Sequence, residues 1–253
     1  MSFSFLTVKV ADGIGWLEFN RAPVNAFHWP MLEELAPAFD RLHGDPAVRV
    51  IVLASALPRY FSSGADLNVF AGITPERMRH WVTLCHGFVR RLRRSDKPLL
   101  AAIQGTAVGG GLEMTLHCDL RFAAEDARLG QPEIAIGMIP PVGATQALVR
   151  LLGRPQAIRY LYDGKLVAAA EAAALGLVDE LVPADQLRQR VAAYAAELAG
   201  KPAPALAAIR RTITEGGGVS FEEGLAIELD WASRLAGTVE FQDGVQGFLA
   251  RRR

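Results

Sequence analysis

Two short apolar runs constrain the fold of this chain more than any other feature. VRVIVLAS (48–55) and KPLLAAIQG (97–105) are continuous stretches rich in β-branched and aliphatic residues. A strand that is covered on both faces shows this pattern, because it has no polar side to alternate with. The segment between them that spans 75–94 has the periodicity of a long amphipathic helix. Since parallel strands need such a crossover, the chain is predicted to be α/β with parallel pairing.

The two ends of the chain differ in pattern. FLTVKV and GIGWLEFN alternate around Ala11-Asp12-Gly13 and predict a hairpin, and 30–42 has helical spacing. DLRFAAEDARLG predicts two short strands, and LVDELV (177–182) predicts one more. The remaining sequence from Ala144 onward predicts helices over 144–152, 155–163, 168–175, 184–200, 203–215, 220–235 and 239–249. We therefore predict one unit with a β-rich core over 1–195 and a helical region over 196–253, whose last two helices pack on this core or on another subunit.

Composition narrows the functional classes. The 253 residues carry 27 basic and 27 acidic side chains, so no overall field attracts nucleic acid or an anionic membrane. No apolar run reaches membrane-spanning length, and the first residues lack the pattern of a secretory leader, so we predict a cytoplasmic protein. Cys85 and Cys118 stand apart without ligand spacing, so they are predicted to be reduced core thiols, and no metal site is expected.

The sequence AVGGGLEMTLHCDL contains three consecutive glycines that open a predicted helix. Gly109, Gly110 and Gly111 follow a buried strand, where a ligand could approach the backbone closely and meet free N–H groups. The spacing is not that of a dinucleotide fingerprint, and no Gly-Lys-Ser/Thr phosphate loop is present. Two interpretations remain, an amide-lined pocket or simple close packing of the helix.

Two glutamates occupy apolar surroundings. Glu113 lies one turn into the same helix, and Glu133 lies between Pro132 and Ile134 on a different element. A carboxyl among apolar neighbours acquires a raised pKa, which suits a general acid or base. Glu113 could equally be a helix-start residue that faces solvent and complements the helix dipole. Spacing alone does not establish that the two carboxyls meet.

The segment YFSSGADLNVF forms a second predicted turn at the end of a buried strand. Ser62, Ser63, Gly64 and Asp66 could present backbone N–H groups, or Asp66 could simply cap the following helical run. Two such turns with two glutamates suggest one device, in which N–H groups hold a developing oxyanion while carboxylates move protons. A Ser-His-Asp triad is less favoured because no G-x-S-x-G elbow is present, and His117 is predicted to be packed.

Three blocks of this sequence resemble a known family. SSGADL, KPLLAAIQGTAVGGGLEMTLHCDLRFA and LGQPEIAIGMIPPVGATQAL are similar to the signature blocks of the enoyl-CoA hydratase/isomerase family, the crotonases. PVNAF, ALGLVDELVP and GVQGFLARR extend the resemblance over nearly the whole chain. The blocks are specific for the superfamily and less so for the reaction, because one fold hosts several chemistries.

The resemblance implies a fold, an assembly and a set of roles. It implies a crotonase-like spiral of ββα units followed by a C-terminal helical trimerisation region, assembled as a homotrimer or a dimer of trimers. The backbone N–H groups of Ala65 and Gly110 would form the oxyanion hole, and Glu113 and Glu133 would be the catalytic acid/base pair. The positions that would contact substrate or coenzyme A are Asn25, Ala26, Gly64, Asp66, Leu67, Gly109, Pro140, Pro141, Phe248 and Arg251.

Two departures from the family pattern bear on the reaction. Hydratases of the family commonly read IPGAGGTQ where this chain reads IPPVGATQ, so Pro141 stands where a glycine offers its N–H towards the attacking water. Asn68 stands where a lysine is often found three residues after the oxyanion alanine. A contact to a coenzyme A phosphate is thereby lost or moved to a residue such as Arg251, whose family counterpart reaches the coenzyme of a neighbouring subunit.

The expected function is hydration of a 2-enoyl-CoA thioester. Coenzyme A would be part of the substrate, no other cofactor is expected, and neither nucleic acid nor membrane is an expected partner. Pro141 favours the alternatives within the family, namely an enoyl-CoA isomerase, a hydratase-lyase or a C–C hydrolase acting on another acyl-CoA. Retention of Glu113 and Glu133 argues against those alternatives, and also against a non-catalytic acyl-CoA-binding oligomer.

Overall fold

The computed structural model describes residues 2–251 and begins with the predicted hairpin. Strands β1 (Leu6–Ala11) and β2 (Ile14–Phe19) pair antiparallel, with Ala11 opposite Ile14. Asp12 and Gly13 both have positive φ, 52° and 77°, as a two-residue turn of type I′ requires. All of β2 is buried, while β1 becomes exposed towards its end.

The apolar runs form the centre of the main sheet. Strands β3 (Val50–Ser55), β5 (Leu99–Ile103), β7 (Leu120–Ala124) and β10 (Glu180–Val182) continue from the hairpin in the order β1-β2-β3-β5-β7-β10. Every pairing from β2 onward in this sheet is parallel. Each residue of β3 and β5 is buried, which explains the absence of alternation in their sequences.

A second, smaller sheet is formed by four short strands, the first three of which alternate along the chain with strands of the main sheet. Its strands β4 (Tyr60–Ser62), β6 (Thr106–Val108), β8 (Arg128–Gly130) and β9 (Leu166–Ala168) stand in the order β4-β6-β8-β9. Consecutive units therefore give one strand to each sheet, as β3 and β4, then β5 and β6, then β7 and β8. This arrangement is the spiral of ββα units, and the expected fold class is confirmed. Sequence analysis missed β4, β6 and β9, which have only three residues each.

The helices agree closely with the predicted ranges. They are α1 (Trp29–Gly44), α2 (Pro75–Arg94), α3 (Gly110–Thr115), α4 (Ala144–Leu152), α5 (Arg154–Asp163), α6 (Ala169–Leu175), α7 (Leu187–Ala199), α8 (Ala203–Gly216), α9 (Phe221–Ala236) and α10 (Val239–Ala250). Two single 3₁₀ turns cover Leu67–Phe70 and Pro132–Ile136. The Thr74 hydroxyl accepts the N–H of Arg77 and Pro75 occupies the first turn, so the start of α2 is fixed locally.

The C-terminal helices differ in how much they bury. Helix α7 packs on the main sheet through Leu187, Val191 and Ala195, although the predicted boundary at 195/196 falls within it. Helices α9 and α10 bury none of their described residues, and Phe221 and Leu229 are 80% and 69% exposed. The division into two regions stays a prediction.

The core of the described chain is continuous. Aromatic side chains of Phe19, Phe27 and Phe61 meet edge to face at centroid distances of 5.2 Å behind the loops that form the site described below. Cys85 and Cys118 are both buried and unbridged, as predicted. Among residues 2–251, none of the helices combines the length and the apolar character needed to cross a membrane.

Candidate active site

A cavity of about 240 Å³ opens where the two predicted amide turns and both glutamates meet. It is bounded by the loop after β4, the start of α3, the 3₁₀ turn at Pro132–Ile136 and the loop that precedes α4. The predicted site residues that line it are Gly64, Ala65, Leu67, Gly109, Gly110, Glu113, Glu133 and Pro141. Residues that lie up to 77 positions apart in the sequence are thus brought to one site.

The first turn presents the N–H of Ala65. Ser62 Oγ accepts the N–H of Gly64 at 3.0 Å, and the backbone of Phe27 bonds the oxygen of Gly64 and the N–H of Asp66 at 2.7 and 2.8 Å. Gly64 adopts φ +83°, and a Cβ there would lie 2.9 Å from the oxygen of Val108. Within residues 2–251, the N–H of Ala65 donates to no other group, although both of its neighbours are held.

The second turn presents the N–H of Gly110. Gly109 adopts φ +52° and donates its N–H to the oxygen of Gly130 at 2.9 Å, which ties the turn to β8. Gly110 is the first residue of α3, where the preceding chain cannot supply an acceptor for its N–H. The described part of the chain offers this N–H no hydrogen-bond partner. Two unengaged donors therefore border one cavity.

Glu113 is fully buried and held by the backbone. Its Oε2 accepts the N–H of Val142 at 2.6 Å and the N–H of Ala144 at 3.0 Å. Its Oε1 is also buried but has no partner among the described residues. Burial and, to a smaller extent, the nearby Glu133 raise the pKa of Glu113, the two amide hydrogen bonds oppose the rise, and the net pKa is about 8. The alternative of a solvent-facing glutamate at the helix start is excluded.

Glu133 lines the same cavity as Glu113 and interacts with it electrostatically. It lies in the 3₁₀ turn behind Gly109, where a Cβ on that glycine would stand 2.6 Å from Glu133 Oε1. Burial raises the pKa of Glu133 to about 7. With its amide oriented to donate, the buried Gln131 side chain reaches both carboxylate oxygens of Glu133 at 3.1 Å. Gln131 was not singled out from the sequence.

The remainder of the cavity wall is apolar. Phe27, Leu32, Phe70, Trp81 and Met114 close it, and Cys85 completes this face. Burial raises the pKa of the Cys85 thiol to about 12, so the group is not a nucleophile near neutral pH. The cavity thus combines an uncharged wall with two carboxyls and two free amides at one end.

Other predicted contact residues lie outside this cavity. The Asn25 side chain is buried and donates to Ser55 Oγ at 2.8 Å and to the oxygen of Phe61 at 3.0 Å. It therefore connects the end of β3 to β4. Ala26 accepts a hydrogen bond from Arg21 at 2.7 Å through its oxygen. Pro140 is buried beside the cavity-lining Pro141. Their roles towards a ligand stay predictions.

Asp66 and Asn68 hold each other. Asp66 caps the turn Leu67–Phe70, as the alternative interpretation predicts, and Asn68 Nδ2 donates to Asp66 Oδ1 at 2.9 Å. Arg21 also bonds Asp66 Oδ2 at 3.0 Å. Asn68 is thereby directed towards its own turn.

The two C-terminal candidates lie on α10 and just beyond it. Phe248 lines a separate apolar groove between α10 and the start of α8, and the Arg251 Nε donates to the oxygen of Gly247 at 3.1 Å. Neither residue reaches the cavity of its own chain. Their contacts with coenzyme A stay predictions.

A sequence model of the enoyl-CoA hydratase/isomerase family matches residues 9–253. The chain belongs to this family. Among similar proteins, the 2,3-dehydroadipyl-CoA hydratase of Escherichia coli is 32% identical over 98% of this chain and 97% of its own length. The crotonyl-CoA hydratase of Syntrophomonas wolfei is 29% identical over 100% and 98%.

Solved structures agree with this assignment. The enoyl-CoA hydratase of Bacillus anthracis superposes with a TM-score of 0.93 at 32% identity, covering 98% of this chain and 97% of the other. This superposition establishes the crotonase fold for the chain. The family to which the chain belongs acts on acyl-CoA substrates. The particular reaction depends on the residues in the cavity.

Proposed function

We propose that the protein adds water across the double bond of a 2-enoyl-CoA thioester. The observation that carries the proposal is the convergence of Glu113, Glu133 and the free N–H groups of Ala65 and Gly110 on one apolar cavity. An α,β-unsaturated thioester needs two things for hydration, namely donors for the charge that develops on its oxygen and groups that move two protons. The cavity offers both.

The thioester oxygen would accept the N–H groups of Ala65 and Gly110. Charge grows on this oxygen when water attacks C3, because the electron pair of the double bond moves towards the carbonyl. A preformed donor in such a position is worth about 2.7–4 kcal/mol of transition-state stabilisation. Both donors are fixed by neighbouring backbone contacts before a ligand arrives.

The two glutamates would divide the proton transfers. The reactive form is the one in which Glu133 holds the proton that the pair shares, and in that form the Glu113 carboxylate, which accepts two amide hydrogen bonds, would take a proton from the attacking water. Glu133 would give its proton to C2, so that the product gains one water. The carboxyls repel each other's charge and titrate as one system, which keeps one proton on the pair over a range around neutral pH.

Pro141 supports a second candidate function. It has no N–H to offer the attacking water, so the water would be held by the two carboxyls alone. If they do not suffice, the same acid/base pair could shift a double bond, as in an enoyl-CoA isomerase, or cleave a carbon–carbon bond, as in a hydratase-lyase or a C–C hydrolase.

The direct test is to mix the protein with crotonyl-CoA and follow the conjugated-enoyl absorbance and the product mass. A gain of one water, lost in both Glu113→Gln and Glu133→Gln, is the expected result. Unchanged crotonyl-CoA with binding intact refutes hydration of this substrate. Branched, cyclic and β-keto thioesters would then separate the other reactions from a non-catalytic acyl-CoA-binding protein.

We further propose that the chain assembles as a homotrimer or a dimer of trimers. The support is the apolar surface of α9 and α10, which no described segment of the chain covers. Sedimentation of the protein and of a Phe221→Glu/Leu229→Glu variant checks this. We expect an assembled wild type and a smaller species for the variant, and a monomeric wild type contradicts the proposal.

A further inference from the structure

Two histidines lie behind the loop that holds Glu113, on the side away from the cavity. His86 is on α2, and its Nε2 is 2.7 Å from the carbonyl oxygen of Pro141. His117 follows α3, and its Nε2 is 3.0 Å from the carbonyl oxygen of Val142. A carbonyl oxygen can only accept, so both Nε2 atoms carry the hydrogen and donate. Burial, Arg93 and His86 lower the pKa of His117 to about 4, which keeps this ring neutral near pH 7.

One peptide unit connects His86 to Glu113. The oxygen of Pro141 and the N–H of Val142 belong to the same peptide group and point in opposite directions, because the bond is trans. His86 bonds the oxygen, and the N–H on the other side bonds Glu113 Oε2 at 2.6 Å. A donor on the oxygen polarises the group and strengthens its N–H as a donor.

The next peptide units complete the arrangement. His117 fixes the oxygen of Val142, and Gly143 at φ +100° turns the chain so that the N–H of Ala144 also reaches Glu113 Oε2. A Cβ at Gly143 would lie 2.7 Å from His117 Nε2, so the loop and the ring are closely fitted.

We propose that His86 and His117 are positioning residues for Glu113, acting through the backbone of Pro141, Val142 and Gly143. Neither ring lines the cavity, so neither is a catalytic residue. The histidines hold the carbonyls of the loop on one side while its amides hold the carboxylate on the other. This compensates for Pro141, which contributes no amide of its own. The catalytic consequence rests on the proposed function, whereas the effect on Glu113 itself does not.

Charged groups lie near the two histidines on one side of the loop and near Glu113 on the other. A separate cavity behind the histidines is lined by Arg90, Arg93 and Arg150, and its lining residues include no carboxylate. On the catalytic side, the titratable groups that face Glu113 are Glu133 and Cys85. A test must therefore separate the hydrogen bonds of the rings from the field of the arginines.

The test measures the ionisation of Glu113 in the whole protein without substrate. Infrared spectra recorded against pH follow the protonated-carboxyl band that Glu113→Gln removes. His86→Leu weakens the Val142 amide as a donor, and His117→Leu releases the Val142 carbonyl, so that the loop no longer directs the N–H of Ala144 as closely. Each variant should therefore move the midpoint of this band upward by roughly half a pH unit or more, because the carboxylate loses stabilisation. His86→Gln and His117→Gln, which retain a donor, should restore most of the shift.

Kinetics provides the second readout. Each leucine variant should lower kcat roughly tenfold with a smaller change in KM, and should displace the pH profile in the same direction as the infrared midpoint. Arg90→Gln is the matched control: it removes a charge from the same rear cavity without touching the loop, and should leave both measurements unchanged.

The possible outcomes decide between the explanations. A wild-type midpoint in folded leucine variants overturns the proposal, and so does a shift that the glutamine variants fail to reverse. An equal shift in Arg90→Gln would assign the effect to the arginine field and also overturns it. If the wild type hydrates no thioester, the infrared titration still decides the role of the histidines.

Discussion

Removal of the Glu113 carboxyl should make the protein more stable at high pH. In the folded state the pKa of this buried group is raised from 4.5 to about 8. Between these values the unfolded chain loses the proton while the folded chain keeps it, so the free energy of unfolding falls as pH rises. The interval is about 3.5 pH units, and at about 1.4 kcal/mol per unit the loss is at most on the order of 5 kcal/mol.

Glu113→Gln has no such group to ionise. The glutamine oxygen can still accept the N–H groups of Val142 and Ala144. Its amide N–H₂ then occupies the unpartnered Oε1 position, which costs about 1–3 kcal/mol at every pH. The variant should therefore be of similar or lower stability than wild type near pH 4–5 and gain on it by several kcal/mol above pH 8.

Urea denaturation from pH 5 to pH 9 at one protein concentration measures this difference. Glu33→Gln, which makes the same change at an exposed position of α1, is the control and should track the wild type throughout. Parallel stability profiles for wild type and Glu113→Gln would refute the reasoning, because they would mean that Glu113 is ionised in the folded protein at ordinary acidic pH.

Three further substitutions test the surroundings of the site. Gln131→Leu removes the donor to Glu133 and should raise the pKa of that carboxyl by roughly one unit, seen as an alkaline displacement of the pH profile of kcat. Gly109→Ala places a Cβ against Glu133 Oε1 and should lower kcat roughly 100-fold in a protein that a thermal melt shows to be folded. Asn68→Lys frees position 68 from its bond to Asp66 and should lower KM for a CoA thioester roughly threefold or more, without affecting a pantetheine thioester that lacks the nucleotide phosphates.

The sequence predicts the elements that carry strong local signals. Helix α2 is predictable with its bounds because Thr74 and Pro75 define its start and its buried apolar stripe continues to Leu92 in the last turn. Strand β3 was found because both of its faces are buried. Strands β4 and β6 escape prediction because each lies in a segment dominated by a Ser- or Gly-rich turn, where three strand residues establish no period. Strand β4 also pairs with β6, far along the chain, and not with its sequence neighbour β3.

The same contrast applies within the site. Glu113 and Glu133 could be identified because a carboxyl in an apolar stretch is unusual. The amides of Val142 and Ala144 that hold Glu113 could not, since every residue except proline carries an N–H and residue type gives no signal. His86 resembled an ordinary residue of an amphipathic helix, because its partner is a backbone oxygen 55 positions away.

The three consecutive glycines show why a motif alone leaves the function open. Gly109 needs a positive φ and an empty space for Glu133, and Gly111 needs an empty space because a Cβ would lie 2.6 Å from Ser62 Cβ. A Cβ on Gly110 would meet Phe27 at 3.5 Å and Val142 at 3.9 Å, which are ordinary contact distances. The two outer glycines therefore meet the packing requirement, while the middle one supplies the free N–H. Close packing and an amide-lined pocket, which were alternatives in the sequence, are both properties of one turn.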